Sequence, residues 1–459
     1  MAYALPMQRI STLFVLALTT LHITTQPILA QSTKPKTSSP SGIDKRYMDE
    51  VKALADQPAV KKAFQIFIDL EPQTSQDHRN LVETPSPPFK EDVRAKKFAA
   101  MMREAGADSV WIDEVNNVIA KRKGRSGKKT VVVESHLDTV FPEGTDVKIK
   151  QKGDTLYAPG VGDDTRGLAA ILAVLKGMEK AGIETDADVL FVGAVGEEGL
   201  GDLRGVKHLL RQGGPKVDSY IAVDGDGISS IVHGGLGSHR YRVTFKGPGG
   251  HSYGSFGIVN PHSAQGKAIY YFTTEADKAT RQGVKTTYSV SVIGGGTSVN
   301  AIPYESWMEI DMRSESPEKL NEVDQLLQAA VKRALAEENG IKRQGPDLTV
   351  DVKKIGDRPS GKTDPSSAIV QRAMAATTYM NAVPQLDVAS TNANTPIALG
   401  IPAITIGSGG IGGGEHSLNE WWLNDKGYLG MQRILLVLLA EAGMDRGTVA
   451  SPIKTRAKR

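Results

Sequence analysis

Cysteine is absent from all 459 residues, which excludes disulfides, thiolate metal ligands and a cysteine nucleophile together. A chain of this length needs no disulfides, because the fraction of surface it buries on folding rises with size. Aromatic residues are sparse, at 6%. A charge excess of one sign is missing as well: 55 basic residues stand against 52 acidic ones, for a formal net charge of +3. The basic residues are scattered apart from KRKGRSGKK at 121–129 and the tail KTRAKR, so nothing in the balance calls for nucleic acid. No internal repeat is evident. The longest apolar run near the N-terminus, LFVLALTTL, is too short to span a bilayer.

That run follows Arg9 and leads to Ala30, which closes ILA ahead of a polar stretch. The pattern is that of a secretory signal peptide over 1–30, and fits it better than a membrane anchor interrupted by Thr and His22. Residues 31–44, QSTKPKTSSPSGID, have the Ser, Thr and Pro content of a flexible leader. A secreted or periplasmic location is expected, with no stable membrane association once the signal is cleaved. A basic tail is expected over 446–459.

Between leader and tail, 40% hydrophobic content can fill more than one core. Helical spacing runs from Tyr47 to Leu70 and again, after ETPSPPFKE, through EDVRAKKFAAMMREAGA. Strand-like runs then alternate with helices: VVVES, RGLAAILAVLKGMEKAG, DVLFVGAV, GVKHLLRQ, SYIAV. Such alternation predicts an α/β catalytic domain, its mainly parallel sheet covered by helices on both faces. From residue 237 four strands and two helices follow in an order that suggests an inserted α+β, ferredoxin-like domain. After it IPAITIG and the apolar helix GYLGMQRILLVLLAEAG return to the first domain. The expected division is therefore 45–236 and 355–445 for a discontinuous catalytic domain, with 237–354 inserted as a lid and dimerisation domain.

Carboxylates and histidines collect where the apolar strands end. SHLDTV places His136 and Asp138 two positions apart, on one face if the chain stays extended. In GVGDDTRG, Asp163 and Asp164 precede a helix. They suit an N-cap as well as a carboxylate bridging two cations. GEEGLG sets Glu197 beside Glu198, which repel each other unless a proton or cation intervenes or the loop is simply solvated. VDGDG offers Asp224, with Asp226 as a near alternative. His416 stands on a glycine-rich loop, GGGEHSLNEWW, after the strand PAITIG. In an open α/β sheet such strand ends converge on one crevice, so a two-metal hydrolytic centre is the sharp reading.

In their order, SHLDTV, GVGDDTRG, GEEG, VDG, GGHS, GGGTSVNAIP with EIDMRS, and GIPAITIGSGGIGGGEHSLNEWW resemble the motifs of the di-zinc metallopeptidases. That family includes peptidase T, glutamate carboxypeptidase and the aminoacylases. The resemblance covers residues 47–445. It implies that His136 and Asp224 bind one Zn2+, Glu198 and His416 the other, with Asp163 as the bridge, and that Co2+ or Mn2+ also suits this donor set. Asp138 would orient His136, and Glu197 would be the general base for a water activated by the two ions. The peptide bond after the bridging aspartate is often cis in this family. In the insert, His251 resembles the histidine that reaches the active site of a partner subunit in a homodimer and stabilises the oxyanion. Asn300 and Arg313 resemble lid residues that hold the substrate. A turn histidine and a strand-end ion pair are the plain alternatives for His251 and Arg313. Where many relatives begin the following helix with lysine, this chain has Thr165 and Arg166. The implied activity is amide hydrolysis of small peptides by an exopeptidase, or alternatively of N-acyl amino acids by a deacylase. A non-catalytic exported peptide-binding protein is the minor alternative, opposed by the presence of Glu197 and every implied ligand.

Overall fold

The structure is a computed structural model that describes residues 42–444. The expected signal peptide, the leader up to residue 41 and the basic tail lie outside the described residues. Among those residues no helix is long and apolar enough to cross a membrane.

The central sheet is built on four strands: Asp188–Ala194, Thr130–His136, Ser219–Val223 and Ala403–Ile406, neighbours in that order and all parallel. These segments read as continuous apolar runs because helices cover both faces. Every residue of SYIAV and of AITI is buried. The flanks are antiparallel: Val118–Arg122 and Ser109–Ile112 extend one side and Ser230–Gly235 the other. On one face Thr165–Ala181 and Tyr428–Ala442 bury Leu168, Leu172, Leu175, Leu435 and Leu438 together with the N-terminal helices. On the other, Leu203, Val206 and Leu209 pack beneath Tyr220 and Ala403.

The N-terminal segment differs in detail from its periodicity. Tyr47–Leu70 is two helices, Lys45–Ala55 and Pro58–Asp69. Pro58 has no N–H to continue the first helix and suits the opening turn of the second. A further helix, Glu71–Val82, follows where the sequence shows no apolar periodicity. Its stripe is largely polar, with Thr74, Asp77 and His78 buried beside Leu81 and Val82, so apolar spacing alone gives little sign of it.

The inserted element has the order strand, helix, strand, strand, helix, strand: Gly237–Lys246, Pro261–Thr280, Thr286–Gly295, Glu305–Ser314, Pro317–Ile341, Thr349–Arg358. Its antiparallel sheet places the second, third, first and fourth strands side by side, as in a ferredoxin-like fold. Strict alternation of buried and half-buried residues along Glu305–Ser314 marks a sheet with one face covered, and Val243, Phe245, Phe272, Met308, Ile310 and Leu327 form the core beneath it. The last strand runs on to Arg358. A register shift between Lys354 and Gly356 bends it there, and its end re-enters the first domain beside Glu197.

Candidate metal centre

Because the four central strands are parallel, their C-terminal ends lie along one edge of the sheet. His136 ends one strand and is registered with Ala194 of the next, three residues before Glu197. Asp224 follows Val223, which is registered with Ile406, and the loop after Ile406 carries His416. Asp163 comes from the turn that enters the helix Thr165–Ala181.

These side chains converge. Asp163 Oδ1 lies 2.9 Å from His136 Nε2, and Asp163 Oδ2 lies 3.1 Å from His416 Nε2. His416 Nε2 is also 3.1 Å from Glu198 Oε1. Ligand atoms mutually within 4.8 Å form the groups His136, Asp163, Asp224 and Asp163, Glu198, His416, with His136, Glu197, Glu198 as a third overlapping set. Each oxygen of Asp163 thus faces a different imidazole. Asp226 is turned elsewhere: its carboxylate accepts the N–H of Gly412 and fixes the loop that leads to His416. The Asp163–Asp164 peptide bond is cis.

Asp138 lies just beyond the end of its strand and is fully buried. Its backbone carbonyl accepts from His136 Nδ1 at 3.0 Å. Its carboxylate, 3.7 Å from that nitrogen, instead takes the backbone N–H groups of Glu197 and Glu198 at 3.0 and 2.8 Å. One residue therefore holds the imidazole and the acidic pair. Asp164 occupies the N-cap position of the helix yet makes no side-chain cap bond. It accepts from the Ser135 hydroxyl at 2.5 Å and the His136 N–H at 3.0 Å, which ties the two ligand-bearing turns together.

The electrostatics are those of a site with too much negative charge for its depth. Burial pushes Glu197 up to about 8, with Glu198 adding to the rise and Arg358 opposing it. Burial and the nearby Asp163 carboxylate push Asp224 up to about 7. Asp163 goes the other way: burial would raise it, but hydrogen bonds from His136 and His416 hold it below the usual carboxylate range. Hydrogen bonds to Asp163 and Glu198 raise His416 to about 10. Burial would lower His136, yet Asp163, Asp164 and Asp224 carry it well above its ordinary value.

Imidazole and carboxylate oxygens in two groups that share one carboxylate are a donor set suited to divalent cations such as zinc. Cations would offset the burial and the mutual repulsion that raise Glu197 and Asp224. The residues present fit two metal ions.

Three of the expected residues do not join this cluster. His251 is exposed on a two-residue strand paired with Ala301–Ile302, and its Nδ1 accepts the N–H groups of Tyr253 and Gly254 at 3.2 and 3.3 Å. Asn300 is exposed and accepts from the Ser298 hydroxyl at 2.6 Å. Arg313 donates to Asp311 at 2.8 Å, a carboxylate that also takes Arg240 at 2.8 Å, and Arg240 reaches on to the Gly199 carbonyl beside Glu198.

Other residues at the site escaped the sequence reading. Arg358 donates to Glu197 Oε1 and to the Ser390 hydroxyl, both at 3.0 Å, and to the Glu197 backbone carbonyl. Behind His136, Glu134 is buried and accepts from Asn392 at 2.7 Å, and burial raises it to about 7. Glu420 takes three backbone N–H groups of the Asp163 turn, and burial raises it to about 7 as well. His78 donates from Nε2 to the Val161 carbonyl at 2.7 Å. The one sequence signal for Glu420 was its place four residues after His416 on the same loop. Arg358 offered none, since an arginine ending a polar strand reads as surface.

A family model described as Peptidase family M20/M25/M40 matches residues 132–440. Carboxypeptidase G2 of Pseudomonas sp. strain RS-16 is 32% identical over 133 residues, 28% of this chain and 30% of that protein. A LysW-lysine/LysW-ornithine hydrolase of Pyrococcus abyssi is 31% identical over 164 residues, 36% of this chain and 43% of that protein. The chain thus spans less than half the length of either curated relative. Among solved structures, a Staphylococcus aureus tripeptidase superposes with a TM-score of 0.64 at 21% identity, covering 81% of this chain and 99% of that one, a likeness of fold.

Proposed function

The chain belongs to peptidase family M20/M25/M40, and from that membership we propose that it is an exopeptidase hydrolysing amide bonds of small peptides, with two divalent cations, zinc by default, as its cofactors. The observation that carries the reading is Asp163, whose two oxygens face His136 at 2.9 Å and His416 at 3.1 Å. His136 and Asp224 would hold one ion and Glu198 and His416 the other, with Asp163 between them. When bound, the ions supply Lewis acidity that polarises the scissile carbonyl and makes water easier to deprotonate.

The chain's own groups do the rest. Glu197, buried beside Glu198, accepts the proton of the attacking water and passes it to the departing amine. Arg358 steadies Glu197 by pairing with its carboxylate and its carbonyl. Asp138 holds the backbone of the pair in place through both N–H groups. His251 accepts at Nδ1, which leaves Nε2 as the protonated nitrogen of the neutral ring, a donor of the kind an oxyanion requires. Its exposure on the lid suits donation into a second copy, so a homodimer is part of the proposal. Asn300 follows it in the lid and would orient the substrate. Arg313 would take a substrate carboxylate by exchanging Asp311 for it. A cavity of about 710 Å³ lined in part by Tyr157 and Pro159, and by Leu418 and Asn419 two and three positions after His416 in sequence, is of a size that accommodates small organic ligands. The N-terminal pattern supports export to the periplasm or medium.

A panel of di- and tripeptides assayed beside N-acetyl amino acids, with and without chelator, tests this reading. Metal-dependent cleavage of the peptides is expected. Turnover of the N-acetyl compounds alone would transfer the site to a deacylase, and hydrolysis of neither would contradict the proposal.

A further inference from the structure

The turn Gly160–Asp163 that presents the bridging carboxylate contains two glycines, and a side chain at either would crowd a neighbour. A Cβ on Gly160 would lie 2.6 Å from the Thr139 methyl, and one on Gly162 would lie 3.2 Å from Glu420 Oε1. A turn with so little side-chain packing of its own needs external partners to fix it. Three of its four backbone N–H groups and two of its carbonyls find them in side chains outside the turn. Glu420 Oε2 accepts the Gly160 N–H at 2.6 Å, and Oε1 accepts those of Gly162 at 2.7 Å and Asp163 at 2.9 Å. The Val161 carbonyl accepts from His78 and the Gly160 carbonyl from the Thr165 hydroxyl. Glu420 is itself 1% exposed, and its backbone carbonyl takes the Ala158 N–H at 3.1 Å, where the turn begins. Three amide donors converging on one buried carboxyl group make a rigid joint, since a fully satisfied buried polar network holds its members in one arrangement.

We propose that Glu420 is a positioning residue of the metal centre: it clamps the Asp163 turn and locks it to the loop that supplies His416, so the bridging and terminal ligands hold one fixed separation. The proposal rests on the two-cation reading. Glu420 touches neither ion nor substrate in this scheme and acts only through the Asp163 backbone. Partners of this kind are worth about tenfold to a hundredfold in metal affinity.

The test is Glu420→Gln, which keeps shape and size but turns an amide NH2 toward at least one of the three N–H donors. Zn2+ is titrated calorimetrically into metal-stripped wild type and variant, with folded fraction measured by circular dichroism. Wild type should take up two ions, and the variant should bind at least one of them about tenfold to a hundredfold more weakly per folded molecule, with part of the lost turnover rescued by excess Zn2+. A residue that only supports the fold would lower the folded fraction and leave the affinity of the folded molecules unchanged, so unchanged affinity overturns the clamp. Should the variant not fold, Gly162→Ala pushes on Glu420 without removing it and should weaken Zn2+ binding in the same direction. Wild-type affinity in that variant would count against the clamp. Wild-type protein that binds no Zn2+ would overturn the two-cation reading and the clamp with it.

Discussion

His78 lends itself to a quantitative test, because it braces the Asp163 turn through the Val161 carbonyl and is not itself one of the proposed ligands. The ring is fully buried, donates to the Val161 carbonyl at 2.7 Å and meets Trp422 edge-on, with centroids 5.2 Å apart. Among the described residues the other nitrogen, Nδ1, has no hydrogen-bond partner. Burial, helped by the charge of Arg166, lowers the imidazole from 6.5 to about 3. A depressed histidine pKa means that between these values the unfolded chain binds a proton that the folded chain does not. Stability therefore rises with pH across this window and is lost as pH falls below 6.5. At about 1.4 kcal/mol per unit the full loss approaches about 5 kcal/mol near pH 3, and about 2 kcal/mol of it falls between pH 7 and pH 5. His78→Gln keeps a donor for the Val161 carbonyl and cannot titrate. Urea unfolding of metal-stripped protein at pH 7 and pH 5 should show the wild type losing about 2 kcal/mol more than the variant over that interval. The packing lost against Trp422 shifts the variant by a constant that cancels in the comparison. Equal pH dependence in the two proteins would refute the argument.

Arg358→Met leaves Glu197 without its buried cation and should cost about 3–5 kcal/mol in urea unfolding, whereas a loss below about 1 kcal/mol would mean that the pair carries little. Asp138→Asn turns a donor toward the backbone N–H of Glu197 or Glu198 and should weaken Zn2+ binding by about tenfold to a hundredfold in the same titration used for Glu420. Chelation should lower the thermal midpoint, and readdition of Zn2+ at a hundred times its Kd should restore about 2.7 kcal/mol for each bound ion. His251→Ala should reduce turnover by about a hundredfold or more, the usual weight of an oxyanion donor, with Zn2+ content unchanged. If the protein is a homodimer, mixing this variant with Glu197→Gln should recover activity in the heterodimers, and failure to do so would argue against donation between subunits.

The strand ends were legible in the sequence because each buried parallel strand is a short apolar run that must stop where the polar ligands begin, as VVVES does before His136 and SYIAV before Asp224. The lid was legible for the same reason: alternation along SWMEIDMRS marks one covered face. The bonds that hold the ligands were not, because they join distant segments. Glu420 reaches the Asp163 N–H across 257 positions and Arg358 reaches Glu197 across 161, and no local pattern records either. Asp164 shows the limit most clearly. Its place before a helix reads as a cap, but its carboxylate turns back to Ser135 and His136, and only the fold brings those residues near. The helix Glu71–Val82 has no clear apolar signature because its buried side is largely polar, with His78 facing the turn that carries Asp163.

The measurement that bears most directly on the central claim joins metal content to turnover in Glu197→Gln. Wild-type protein should contain two divalent ions per chain and cleave small peptides. The variant should keep both ions while its kcat falls by about a hundredfold to ten-thousandfold, the range of a lost general base. A variant that keeps turnover within tenfold of wild type, or an active wild type holding fewer than two ions, would contradict the account.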